Sequence, residues 1–185
     1  MGLLDKFTPR VRLAARIGIW LLAVVVIWVA VAVFSAWRPF TSAEGGFRVE
    51  FPGIALTQQQ SVPTQLGTVT LNAYTVVQVL HGSQYAVSYA IYPPRLVEQM
   101  GSSPLGMMRD TLVNQTGGKV LAERDITEPA PGKEIRLDAP GLGIVRIRVM
   151  TVEDRVYALM VSPVPKRGGD VRADRFFKSF TLLSQ

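Results

Sequence analysis

The chain has 185 residues, with 20 Lys and Arg against 14 Asp and Glu, one histidine and no cysteine. The missing thiols exclude disulfides, thiolate zinc sites, a cysteine nucleophile and a lipid-modified cysteine anchor. Residues 1–40 hold Lys6, Arg10, Arg12, Arg16 and Arg38 against Asp5 alone, so they carry +4 of the net +6, and the nearly balanced remainder lacks the clustered basic footprint of a nucleic-acid binder.

The first element is the run Ile17–Trp37, which has no charge between Arg16 and Arg38. At 1.5 Å per residue, about 20 apolar residues cross a hydrocarbon core of about 30 Å, so the run predicts a transmembrane helix. The basic residues before it keep the N-terminus inside and place the following domain outside. Residues 1–16 then form a cytoplasmic basic tail, 17–37 the span, 38–46 a linker and 47–185 an extracytoplasmic domain. The competing reading is a cleaved signal peptide cut after Ala32; the apolar core is long for that, and Phe34 and Trp37 interrupt its small-residue region. Either way the domain lies beyond the cytoplasmic membrane.

Beyond Glu44-Gly45-Gly46, a turn, Phe47–Phe51 reads as a strand with Phe47, Val49 and Phe51 on one face. Gln58–Gln65 reads as loop or edge. Thr68–Val79 alternates, with Val69, Leu71, Ala73, Val77 and Val79 opposite Thr68, Thr70, Asn72 and Tyr74. His81-Gly82-Ser83 turns into a strand over Gln84–Tyr92. Arg95–Met100 is at most a single turn. Ser103 followed by Pro104 then starts a helix with Leu105, Met108, Leu112 and Val113 as its apolar stripe, and Gly117-Gly118 stops it.

Four strands follow at tight spacing: Lys119–Ile126, Lys133–Ala139, Ile144–Val152 and Arg155–Ser162. The Pro-Gly and Glu-Asp turns between them predict an antiparallel meander. Pro163–Gly169 is a loop, Asp170 caps a last helix over Val171–Ser179, and the apolar edge Phe176, Phe177 and Phe180 must pack on the sheet. Thr181–Gln185 is the tail. The sum is an α+β domain.

Three stretches resemble PsbP-like domains: Phe40–Gly53, Pro131–Ile135 leading into a hairpin, and Ala173–Phe180. The resemblance implies an antiparallel sheet sandwiched between helices. Members of that family include extrinsic photosystem subunits, a Ran-binding nuclear protein and bacterial exported proteins of unassigned role. Their shared theme implies binding rather than catalysis. This chain departs from the photosystem type in its apolar N-terminal run.

The residues supply no catalytic signature. His81 is a lone histidine in a turn, which cannot build a zinc site without cysteine. There is no Gly-x-Ser-x-Gly elbow, no P-loop and no GxGxxG. The carboxylates Glu123, Asp125, Glu128, Glu134, Asp138, Glu153 and Asp154 fall mostly on expected solvent faces or turns. Lys133, Arg136, Arg146 and Arg148 are placed on one outward sheet face, which helices would partly cover. The expectation is therefore no enzyme, no cofactor and no metal. It is a single-pass accessory protein that binds an envelope protein partner outside the membrane. The alternative is small-ligand or lipid binding in a pocket between sheet and helix, lined by Tyr85, Tyr89, Met108 or Phe177.

Overall fold

The computed structural model describes residues 23–26, 36–64, 67–78, 82–92, 106, 109–110, 113–114, 116–165 and 168–183. Contacts divide the chain into two units, Met1–Ala36 and Trp37–Gln185. In the first unit, Ala23–Val26 is helical.

Among its described residues the second unit has ten strands, the helix near its C-terminus and further helical residues between 106 and 116. Its main sheet has seven strands in the order β3-β4-β5-β9-β8-β7-β6, every pair antiparallel. The strands are β3 (Leu56–Thr64), β4 (Gly67–Gln78), β5 (Ser83–Ile91), β6 (Lys119–Ile126), β7 (Gly132–Ala139), β8 (Gly143–Val152) and β9 (Arg155–Ser162). The last four pair in sequence order, as the short turns between them require. A second sheet, β1-β2-β10, joins β1 (Trp37–Ser42), β2 (Phe47–Pro52) and β10 (Thr181–Leu182). The helix α1 spans Gly169–Ser179.

Alternation along the strands sends side chains to two faces. One face carries Tyr85, Val87 and Tyr89 of β5, Tyr157, Leu159 and Val161 of β9, and Met150 of β8. It packs under Phe47, Val49 and Phe51 of β2 and under Ala173, Phe176 and Phe177 of α1. The opposite face carries Ile135, Leu137 and Ala139 of β7 with Val145, Ile147 and Val149 of β8, against which Tyr92 and Val113 pack.

The expected architecture, a transmembrane helix followed by a sheet between helices, is corrected on these findings. The chain is mainly β. Among the described residues no helix is long and apolar enough to cross a membrane. The end of the expected span, Trp37, opens a strand and pairs with Pro52. The residues read as a linker continue that strand to Ser42 before a turn at Ala43–Gly46. Pro39 is tolerated there because β1 is an edge, where a missing N–H breaks no ladder. The sheet face toward α1 is covered by one helix and a second sheet, in place of helices alone.

Smaller departures have local causes. On β4 Val69 is buried, as expected, but further along the strand the buried residues are Asn72, Tyr74, Val76 and Gln78, while Val77 stands 61% exposed. Tyr74 goes inward because its ring stacks on Phe40, Phe47 and Tyr89 and its hydroxyl meets Ser42 Oγ at 3.1 Å. Asp170 does not cap α1. Gly168, with φ 64°, occupies the cap position, and the Asp170 carboxylate turns to two arginines. Of the helix predicted from Pro104, residues 106, 109–110, 113–114 and 116 are described, and all are helical. It stops as predicted: Gly117 has φ 60° and Gly118 N donates to Val113 O, a Schellman closure. His81 lies outside the described residues.

Candidate functional site

The site grows from the half of the sheet formed by β6, β7 and β8, on the face that α1 covers. Period-2 alternation puts Glu134 and Arg136 of β7 on that face, with Arg146 and Arg148 of β8 beside them. Register pairs Glu134 with Arg148 and Arg136 with Arg146, and Arg124 of β6 lies opposite Glu134. Above them, Asp170 and Asp174 are four residues apart on α1, one turn along a single helix face.

Glu134 is the hub. It is 7% exposed, as is Arg146. Glu134 Oε1 accepts from Arg146 Nη2 at 2.6 Å. Its Oε2 accepts from Arg148 Nη2 at 2.7 Å, Arg148 Nε at 3.2 Å and Arg124 Nη2 at 3.0 Å. Arg146 also donates to Asp174 Oδ1 at 2.8 Å and to Asp170 Oδ1 at 3.3 Å, and Arg136 reaches the same Asp170 oxygen at 3.0 Å. The Phe177 ring lies beneath the guanidinium carbons of Arg146 and Arg148, 5.2 and 5.0 Å from its centroid, a double cation–π contact. Burial acts to raise the Glu134 pKa, but the hydrogen bonds from Arg148, Arg146 and Arg124 outweigh it and hold the carboxyl at about 2. Burial also opposes charge on Arg146, and the bonds to Glu134 and Asp174 more than compensate, raising its pKa.

Between α1 and the sheet edge these residues line an open cleft of about 340 Å³, with Ala122 and Glu123 at its rim. Glu123 is tied in turn to Lys133 at 2.6 Å and to Arg109 at 2.9 Å. The cleft therefore presents both charge signs, nearly all of them already paired. Its carboxylates Glu123, Glu134, Asp170 and Asp174 each accept from at least one basic side chain. Among the described residues, no group of three or more His, Asp or Glu could hold a metal ion.

The other sequence-derived candidates lie elsewhere or outside the described residues. Tyr85 and Tyr89 are fully buried in the core face, and Phe177 is 1% exposed. Tyr89 packs against Phe47, Tyr74 and Tyr157; Tyr85 packs against Trp37 and Phe176. Phe177 packs on Phe176 within the same core cluster and carries Arg146 and Arg148 over its ring. Met108 lies outside the described residues. Burial pushes the Tyr89 phenol up to about 12, with Tyr74 and Glu44 adding to the effect. The reading of Lys133, Arg136, Arg146 and Arg148 as one outward face is also revised. Lys133 shares the opposite face with Ile135, and Arg146 and Arg148 are covered by α1. Sequence reasoning missed the partners Glu134, Asp170 and Asp174. The signal was present as two aspartates at helical i,i+4 spacing and two arginines at strand i,i+2 spacing.

No protein-family model matches the chain. No curated protein matches it. Among solved structures it is similar to the solution structure of cyanobacterial PsbP (CyanoP) from Synechocystis sp. PCC 6803, with a TM-score of 0.53 and 11% identity over 80% of this chain and 93% of that one. That likeness shows the fold, which is PsbP-like.

Proposed function

We propose that the folded unit is a non-catalytic accessory module that binds a protein partner of the cell envelope at the outer face of the cytoplasmic membrane. The observation that carries this is the state of the cleft. Glu134, Asp170 and Asp174 are each committed to arginines, and Glu134 stays ionised down to a pH of about 2. A carboxylate so held is a poor proton donor or acceptor near neutral pH. The same groups make a rigid, bipolar surface whose rim residues Arg124 and Arg136 are 64% and 38% exposed, suited to acidic and basic side chains of another protein. The location is supported by the sequence: the apolar run before Arg38 and the excess of basic residues ahead of it.

The test is crosslinking in intact cells followed by mass spectrometry, with protease treatment of cells whose outer barriers are removed. The expected result is a specific envelope protein captured by the native chain and lost on Arg124→Glu with Arg136→Glu. The folded unit should be accessible to protease from outside. Failure to capture any specific protein overturns the binding role, and protection from external protease overturns the location.

A further inference from the structure

The two ends of the main sheet differ in kind. Trp37 pairs with Pro52, Leu56 with Thr75, Gln78 with Ser83, Gln84 with Ser162 and Ala139 with Gly143, and Arg172 of α1 donates to Gln78. These contacts gather the Gly53–Ala55 and Pro140–Leu142 turns and the start of α1 at the end where the folded unit begins. Five large apolar side chains stand out from it: Ile54, Leu56, Val77, Leu142 and Val171, each 49–74% exposed. Neither turn carries an acid, and Arg38 and Arg172 stand at the same end. Two acids lie near: Asp170 on α1 is taken by Arg136 and Arg146, and the exposed Asp138 of β7 pairs in register with Lys119 of β6.

The opposite end is gathered by Ser42 with Phe47, Ile126 with Gly132 and Val152 with Arg155. Its turns carry Glu44, Glu128, Glu153 and Asp154, with Arg155 directly after the last of them. Among the described residues of the unit, the other exposed large apolar side chains are Ile91 and Leu183 there, and Leu121 on the β6 edge. Among the described residues, exposed apolar side chains thus collect at one end and most of the turn acids at the other, with Asp138 and Arg155 the charges that run against this division. Peripheral membrane binding needs this combination of apolar insertion and attraction to anionic lipid. The apolar run Ile17–Ala36 ends in the sequence directly before Trp37, with no intervening linker.

We propose that this end of the unit rests on a lipid surface, with Leu142, Val171 and their neighbours at the headgroup boundary and Arg38 and Arg172 facing anionic headgroups. The proposal rests on the membrane location given above. It orients the module so that the acidic turns point away from the bilayer and the ionic cleft faces sideways, open to a partner.

The absence of cysteine gives the test a clean background. The full chain, carrying Leu142→Cys, Val171→Cys or Glu44→Cys, is labelled with a polarity-sensitive fluorophore and reconstituted in phosphatidylcholine vesicles containing phosphatidylglycerol. A lipid spin-labelled at its headgroup serves as quencher. The labels at 142 and 171 should lose emission as the quencher is added, while the label at 44 does not. Loss of that difference in vesicles of phosphatidylcholine alone supports the role of the arginines; its persistence unchanged overturns that role. A chain that does not float with the vesicles overturns the membrane location and this proposal together. A chain that floats with both labels unquenched overturns the docking end alone. Labels that report a dry environment without lipid quenching reveal a protein on this end, a second copy or another chain, and also overturn it.

Discussion

One face of the seven-stranded sheet is filled in two different ways. Over β4, β5 and β9 it is a layer of rings, where Phe47 touches Phe40, Tyr74, Tyr89, Tyr157 and Phe180. Over β7 and β8 it is a layer of ions, where Glu134 is held by three arginines under two aspartates. The helix α1 spans both, sending Phe176 to the rings and Asp170 and Asp174 to the ions. Rings cohere without strict direction, so their contribution is spread over many contacts. Ions hold only while every partner is present, because a stranded buried charge is far more costly than a missing pair. The aromatic half should degrade gradually under substitution, and the ionic half abruptly.

The largest break in that comparison is Glu134→Ala. It leaves Arg146 and Arg148 facing each other beneath α1 without their carboxylate. The expected destabilisation is about 3–5 kcal/mol, the cost of removing one member of a buried pair, measured by urea unfolding. A value under about 1 kcal/mol would show that water reaches the network freely and that the two halves do not differ in kind.

Acid probes the same contrast without mutation. The Glu134 carboxyl is lowered from its ordinary 4.5 to about 2 in the folded chain. A depressed folded pKa contributes stability that is present above about pH 4.5 and lost as pH falls toward 2. Unfolding free energy should therefore drop across that window, and Glu134→Gln should flatten the drop. In the aromatic half, burial pushes the Tyr85 and Tyr89 phenols upward, away from that window, and they should contribute nothing there.

Within the aromatic half, Tyr157 and Tyr89 make a sharper pair. The Tyr157 hydroxyl donates to Gly45 O at 2.8 Å, whereas the Tyr89 hydroxyl is buried without a hydrogen-bond partner among the described residues. Tyr157→Phe should cost about 1–2 kcal/mol and Tyr89→Phe close to nothing, because only the first leaves a buried carbonyl unsatisfied. The smallest effect is expected at the surface. Glu50 and Arg175 are 2.8 Å apart but 41% and 52% exposed, so Glu50→Ala should change stability by at most about 0.5 kcal/mol.

The strand meander was legible because its turns are written in Pro-Gly and Glu-Asp and its strands alternate cleanly. The helix stop at Gly117-Gly118 was legible because glycine there takes positive φ. Strand β1 was not, since Trp37-Arg38-Pro39 has neither alternation nor a free amide at Pro39, and only an edge position makes it possible. The inward face of β4 was misread because Tyr74 and Gln78 count as polar by composition, while in the fold both are buried, the Tyr74 hydroxyl meeting Ser42 and the Gln78 Oε1 accepting from Arg172. The ionic cleft was half legible. Arg146 and Arg148 stood out as a charged pair, but their partners come from another strand and from a helix whose position over the sheet is a tertiary fact. Gly45 belongs with them. A Cβ there would meet Phe47, Tyr89 and Ser42 within 2.8 Å, a crowding that no local pattern announces.

The two outer strands of the main sheet bear on how these molecules behave together at high concentration. Strand β6 carries Lys119, Glu123, Arg124 and Asp125 and breaks register between Val120 and Ala122, both of which discourage another chain from adding to it. Strand β3, Leu56–Thr64, has no charge along its nine residues, and Pro63 near its end is the one position without an N–H. It is the side on which a neighbouring polypeptide can extend the ladder. A preparation weakened at Glu134 should therefore announce itself first as ordered assembly growing from β3, before a spectroscopic melting curve registers the loss.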